Sequence, residues 1–76
     1  MFCHVLTKQK ILDRCGARIR EIRLEKGITQ KELAWNCGKD PQSLERVENG
    51  KSNPTIFYLY EIAQGLNIPV KTLIDF

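Results

Sequence analysis

The stretch Thr29 to Gly50, TQKELAWNCGKDPQSLERVENG, decides the fold. It holds two short helical patterns separated by Gly38. In the first, Leu33, Ala34 and Cys37 fall at i, i+1 and i+4, so one face can be buried while Gln30 and Lys31 stay at the exposed N-terminus. In the second, Leu44, Val47 and Glu48 point inward together. Gln42, Arg46 and Asn49, at i, i+4 and i+7, form a polar stripe on the opposite side.

The boundaries of both patterns carry their own signals. Thr29 with Glu32 three residues on is a capping box, which starts the helix at Gln30; it ends near Gly38. Asp40 is placed to cap the next helix, and Pro41 takes its first position, where the missing N–H costs nothing. Asn49-Gly50 stops it. Upstream, Cys15, Ile19 and Ile22 lie at helical spacing in a helix that contains Arg18 to Lys26, continues back to Ile11 or Leu12 and is stopped by Gly27. Downstream, Lys51 to Pro54 reads as a loop and Thr55 as the cap of a fourth helix that buries Ile56, Leu59, Ile62, Ala63 and Leu66. After Asn67 and Pro69, a short fifth helix from Val70 to Phe76 is predicted, presenting Leu73 and Ile74 to the core. The expected fold is all-α, with five helices, an N-terminal extension at residues 1–10 and one domain at 11–76. Helices two and three, about a glycine turn, have the layout of a helix-turn-helix that reads DNA.

Size and composition narrow the functions. A chain of 76 residues makes one small domain, and such a domain buries only about 60% of its unfolded surface, which leaves no room for a deep catalytic cleft. His4 is the single histidine, with no nucleophile or carboxylate in fixed relation to it, so catalysis is not expected. No apolar run approaches the roughly 18 residues of a membrane span. The opening Met1 to Leu6 lacks the basic n-region of a secretory signal, so a cytoplasmic location is expected. Three cysteines with no CxxC spacing suggest neither a disulfide framework nor a zinc site. Cys15 and Cys37 read as small hydrophobes, Cys3 and His4 alone are weak metal ligands, and neither a metal nor another cofactor is expected. The net charge of +3 is uneven: residues 1–51 carry eleven Lys or Arg against seven Asp or Glu, whereas residues 52–76 carry Lys71 against Glu61 and Asp75. The basic surface therefore lies in the part that holds the helix-turn-helix rather than in the tail, and an anionic partner fits that first part.

Arg18 to Arg23 through Gly27, Thr29 to Ala34, Gln42 to Glu45, Val47 to Lys51, then Asn53-Pro54 and Ile62-Ala63 with Leu66 occur in order and at fixed spacing. Over residues 15–75 the chain resembles the helix-turn-helix domains of the phage lambda and 434 repressors, their Cro proteins and the xenobiotic-response-element type of bacterial regulators. The resemblance implies a sequence-specific transcriptional regulator of the repressor or restriction-modification controller type, with helix three in the major groove of double-stranded DNA and two copies reading half-sites a helical turn apart. It also implies a phosphate contact for Gln30, at the start of helix two.

Base readers are expected in helix three. Gln42 can pair with adenine N6 and N7, and Arg46 with guanine O6 and N7, although arginine also reaches phosphate. Ser43 can serve a base or a phosphate. Pro41 stands where the 434-like pattern has glutamine; it can touch a thymine methyl but reads no donor or acceptor. Glu45 is either solvated or a partner for cytosine N4. Lys39, in the turn where relatives carry an apolar residue, is a candidate phosphate contact together with Asn49, Lys51 and Asn53. Glu48 shares the inward face with Leu44, and a lone buried carboxylate is expensive, so it needs a partner. Arg23, one turn after Ile19 at the edge of the first stripe, is the candidate, and relatives pair the matching residues. Phe57, Tyr58, Tyr60 and Phe76 do not all fit the buried stripe of helix four. They serve either a symmetric homodimer or the core of one chain. A protein-interaction module of antitoxin type, masking a partner through this aromatic face, is the alternative function. Trp35 points away from the buried face of helix two and has no assigned role.

Overall fold

The computed structural model describes residues 7–75. Four α-helices, α1 (Lys8–Glu25), α2 (Gln30–Asn36), α3 (Pro41–Glu48) and α4 (Ile56–Leu66), are followed by a 3₁₀ segment, Val70–Ile74. Among the described residues there is no strand. The fifth helix is thus corrected to a 3₁₀ turn. With three residues per turn, Val70 and Leu73 share its inner face, and Ile74, expected in the core, falls outside it at 46% exposure.

Each start and stop has a local cause. Thr7, Thr29 and Thr55 accept hydrogen bonds from the backbone N–H groups of Lys10, Glu32 and Tyr58, and Glu32 completes the capping box by accepting from the Thr29 N–H at 2.8 Å. At the other ends, Gly27, Gly38 and Gly50 have φ of 69°, 69° and 73°, and Asn67 takes the same left-handed conformation at 62°. In every case the N–H of the next residue (Ile28, Lys39, Lys51, Ile68) reaches back to a carbonyl in the last helical turn, that of Arg23, Ala34, Arg46 or Ala63. All four helices therefore close with the same left-handed capping motif. Asp40 stands at the N-cap position of α3, but its side chain makes no capping hydrogen bond.

α1 begins at Lys8, earlier than the Ile11 or Leu12 that its apolar stripe reaches, and takes residues 8–10 out of the expected extension. Gln9 explains this: its Nε2 donates to the Gly50 carbonyl and to Asp13 Oδ1, both at 2.8 Å, which ties the first turn of α1 to the end of α3. Cys3 and His4, and Phe76 of the expected dimer contact, lie outside the described residues.

The core is made where the helices cross. Ile19, Leu33, Leu44, Ile62, Leu66 and Leu73, one or more from every element, are fully buried. Each such side chain contributes about 1.5 to 3 kcal/mol by leaving water. Gly16 lets α1 lie directly on α3: a Cβ there would sit within 2.5 Å of the Glu48 carbonyl oxygen and would also strike the Val47 carbonyl. Ile56 is corrected. As the first residue of α4 it stands beyond the packed layer and is 72% exposed.

Candidate nucleic-acid interface

The inner face of α3, Leu44, Val47 and Glu48, is buried as its periodicity predicts. Its outer face carries Gln42, Glu45, Arg46 and Asn49, all exposed. Around the N-terminal half of the helix, Asp40, Gln42, Ser43, Arg46 and Ser52 line a shallow open groove. Ser52 was not singled out in the sequence, because its place depends on how the loop after Gly50 folds back. Pro41 is half-buried at the first position of α3. Lys51 and Asn53 project from the following loop.

Glu48 does have its partner. Arg23 Nε donates to one carboxylate oxygen at 2.8 Å, and its NH2 donates to the other at 3.1 Å, a two-pronged pair with both side chains at least nine-tenths buried. Arg23 NH1 also donates to the Ile28 carbonyl at 3.0 Å. A third donor was not foreseen: Gln30 Nε2 reaches the same carboxylate at 3.0 Å. The carboxylate is thereby satisfied, and no buried side-chain N or O atom among the described residues lacks a partner. The network joins α1, the start of α2 and the end of α3. Because glutamine carries two amide hydrogens, Gln30 keeps one for an outside acceptor while the other is held. Spacing alone could not reveal this link, since Gln30 and Glu48 meet only once α2 and α3 have packed together.

Lys39 is also differently occupied than its sequence position suggests. Its ammonium pairs with Glu61 of α4 and lies 4.8 Å from the centre of the Tyr58 ring. The Glu61 carboxylate pushes the Lys39 pKa above the ordinary lysine value. The polar turn residue thus packs by covering an aromatic ring with its stem and pairing its head. Lys31, Arg46 and Lys51 have no acidic partner among the described residues, where the ion pairs are Arg18–Glu21, Arg23–Glu48 and Lys39–Glu61. Lys8, Lys10, Arg14 and Arg20 of α1 are likewise outside these pairs, so the free positive charge is shared between α1 and the helix-turn-helix.

The aromatic residues of α4 divide. Phe57 and Tyr60 are 66% and 48% exposed and share one side of the helix with Ile56. Tyr58 turns the other way, packs on the core and meets Ser43 of α3 with its hydroxyl at 3.0 Å. Trp35 is 68% exposed. Burial raises the thiol pKa of both Cys15 and Cys37, which keeps them protonated at neutral pH. No described helix is long and apolar enough to cross a membrane, and no group of metal-ligating side chains occurs among the described residues.

Comparison with known proteins agrees with this architecture. A helix-turn-helix family model matches residues 19–73. The chain is 42% identical over 53 residues to the HTH-type transcriptional regulator y4dJ of Sinorhizobium fredii, an alignment spanning 70% of this chain and 69% of that protein. It is 38% identical over 61 residues to the HTH-type transcriptional regulator SinR of Bacillus subtilis, covering 79% of this chain and 55% of SinR. Among solved structures, the restriction-modification controller protein C.AhdI from Aeromonas hydrophila superposes with a TM-score of 0.80 at 34% identity, over 82% of this chain and 94% of that one. With its four capped helices, its Arg23–Glu48 pair and these relatives, the chain belongs to the helix-turn-helix family of lambda-repressor and Cro-like transcriptional regulators.

Proposed function

We propose that α3 enters the major groove of duplex DNA and reads an operator half-site with Gln42, Ser43 and Arg46, with Pro41 contributing apolar contact alone. The observation that carries this reading is the outer face of α3, where Gln42 and Arg46 stand exposed together while the opposite face is buried and anchored through Glu48. Glutamine and arginine are the side chains whose paired donors and acceptors match adenine and guanine edges. Gln30, Asn49, Lys51 and Asn53 then hold phosphates on either side, which fixes register without reading sequence. Lys39 packs the turn through Glu61 and keeps further ammonium hydrogens for a phosphate.

The biological setting is a repressor or a restriction-modification controller acting in the cytoplasm. A single reader of this size covers few base pairs, and Ile56, Phe57 and Tyr60 supply an apolar face for a second copy. That face supports a homodimer on a pseudo-palindrome. An antitoxin-like interaction module rests on the same face; it is favoured if an unlike protein co-purifies and stays bound after Arg46→Ala. For DNA reading, Arg46→Ala lowers discrimination at one base pair by about 1 to 3 kcal/mol, while Gln30→Ala weakens all duplexes alike. Equal effects of the two substitutions on every sequence overturn the assignment of Arg46.

A further inference from the structure

We propose that Tyr58 is a positioning residue for DNA reading: it holds the Ser43 hydroxyl so that the serine proton is presented outward to a hydrogen-bond acceptor on the DNA. The proposal rests on α3 being the reading helix, and it adds a residue of α4 to the reading apparatus. Ser43 Oγ and the Tyr58 hydroxyl are 3.0 Å apart, and Ser43 lines the groove beside Gln42 and Arg46. Between two hydroxyls one donates and the other accepts. A phenol is a stronger acid than an aliphatic hydroxyl and so the better donor. Lys39 reinforces that direction, because its ammonium over the Tyr58 ring favours negative charge developing on the phenol oxygen.

With Tyr58 donating, the single proton of Ser43 is left over, and the described hydrogen bonds give it no acceptor within the protein. The acceptors that DNA offers are phosphate oxygens and, in the major groove, guanine O6 and N7, adenine N7 and thymine O4. Glu61 completes the device by holding Lys39 in place over the ring. A hydroxyl fixed in this way loses little further freedom on binding, which is the advantage of preorganisation.

The test is selection from a randomised duplex library with the wild-type chain, Ser43→Ala, Tyr58→Phe, Ser43→Thr and the Ser43→Ala/Tyr58→Phe double variant. Fluorescence anisotropy then measures each protein on the duplex the wild type enriches and on an unrelated duplex of equal length. Tyr58→Phe keeps the ring, so the melting temperature should stay near wild type. It should weaken binding by about threefold to tenfold, the scale of one hydrogen bond. The double variant should bind no more weakly than Ser43→Ala, and Ser43→Thr, which keeps a hydroxyl, should recover part of the binding that Ser43→Ala loses. A loss confined to the enriched duplex, with relaxed preference at one base pair, assigns a base acceptor; equal loss on both duplexes assigns a phosphate. If the wild type enriches a site but Tyr58→Phe binds it normally, or its effect adds in full to that of Ser43→Ala, the positioning role is overturned while α3 remains the reader. A wild-type chain that enriches nothing overturns both.

Discussion

The two ends of α3 are held by opposite means. At its C-terminal end α3 lies backbone to backbone against α1: Gly16 meets the Val47 and Glu48 carbonyls, Gln9 grips the Gly50 carbonyl, and Arg23 and Gln30 converge on a buried Glu48. At its N-terminal end, beside the proposed readers Gln42 and Ser43, α3 reaches α4 through the Ser43–Tyr58 hydroxyl pair, with Lys39 and Glu61 alongside, and the side chains of Ser43, Tyr58, Lys39 and Glu61 are half-buried. The end that needs only to be placed is desolvated and close-packed, whereas the end that must meet changing base edges is polar and adjustable. Stability should therefore be concentrated at one end and specificity at the other.

The largest expected effect comes from breaking the close-packed end. Glu48→Ala leaves Arg23 buried without its counter-charge and should cost about 3 to 5 kcal/mol. That is comparable with the whole stability of a domain this small, so urea titration should find the variant largely unfolded at room temperature. A loss below about 1 kcal/mol would mean that the buried network does not carry the load assigned to it. Next, Gly16→Ala should cost about 1 to 3 kcal/mol, because the new methyl meets backbone carbonyls that cannot rotate away. The same titration reads this change, and an unchanged midpoint would contradict the close crossing of α1 and α3.

The polar end should respond differently. Lys39→Met should leave the urea midpoint near wild type at pH 7, because the Lys39–Glu61 pair is partly exposed. The Lys39 pKa is raised in the folded chain, so the pair's contribution is complete below the ordinary lysine value of about 10.4 and is lost as the pH rises through the folded value. The difference in stability between wild type and Lys39→Met should accordingly be flat at neutral pH and shrink only in the alkaline range. A difference that instead grows with pH would exclude Glu61 as the cause. Smallest of all, a thiol reagent at pH 7 should modify Cys15 and Cys37 of the native chain slowly, since burial disfavours both thiolates. Rapid modification without denaturant would show that α1 or the α2–α3 turn opens readily.

Much of the helical framework was legible in the sequence. The Thr29–Glu32 capping box and Gly27, Gly38 and Gly50 past the helix ends are local signals tied to backbone hydrogen bonds of a known kind, and Pro41 heads α3 where no N–H is needed. The Arg23–Glu48 pair was legible because a carboxylate on a buried face demands a partner. Gly16 was not, since its importance exists only once α3 lies across α1. The polar end was harder to read. Asp40 occupies a capping position without capping, and Ile56 obeys the apolar spacing of α4 yet stands one turn beyond the core. Tyr58 lies four residues before Ile62, a spacing that places it on the inner side of α4, but its bond to Ser43 depends on the path of the intervening loop. Periodicity identifies a face, and only tertiary packing says what that face meets.

The exposed face of α3 is proposed to read base sequence. The most direct test is parallel selection from a randomised duplex library with wild type and Arg46→Ala. Wild type should enrich a two-fold symmetric site whose half-sites lie about 34 to 36 Å, one helical turn, apart or a multiple of it. Arg46→Ala should enrich the same site with preference lost at one symmetric position. Enrichment of no sequence by the wild type, or an identical site and preference in both selections, would contradict the claim.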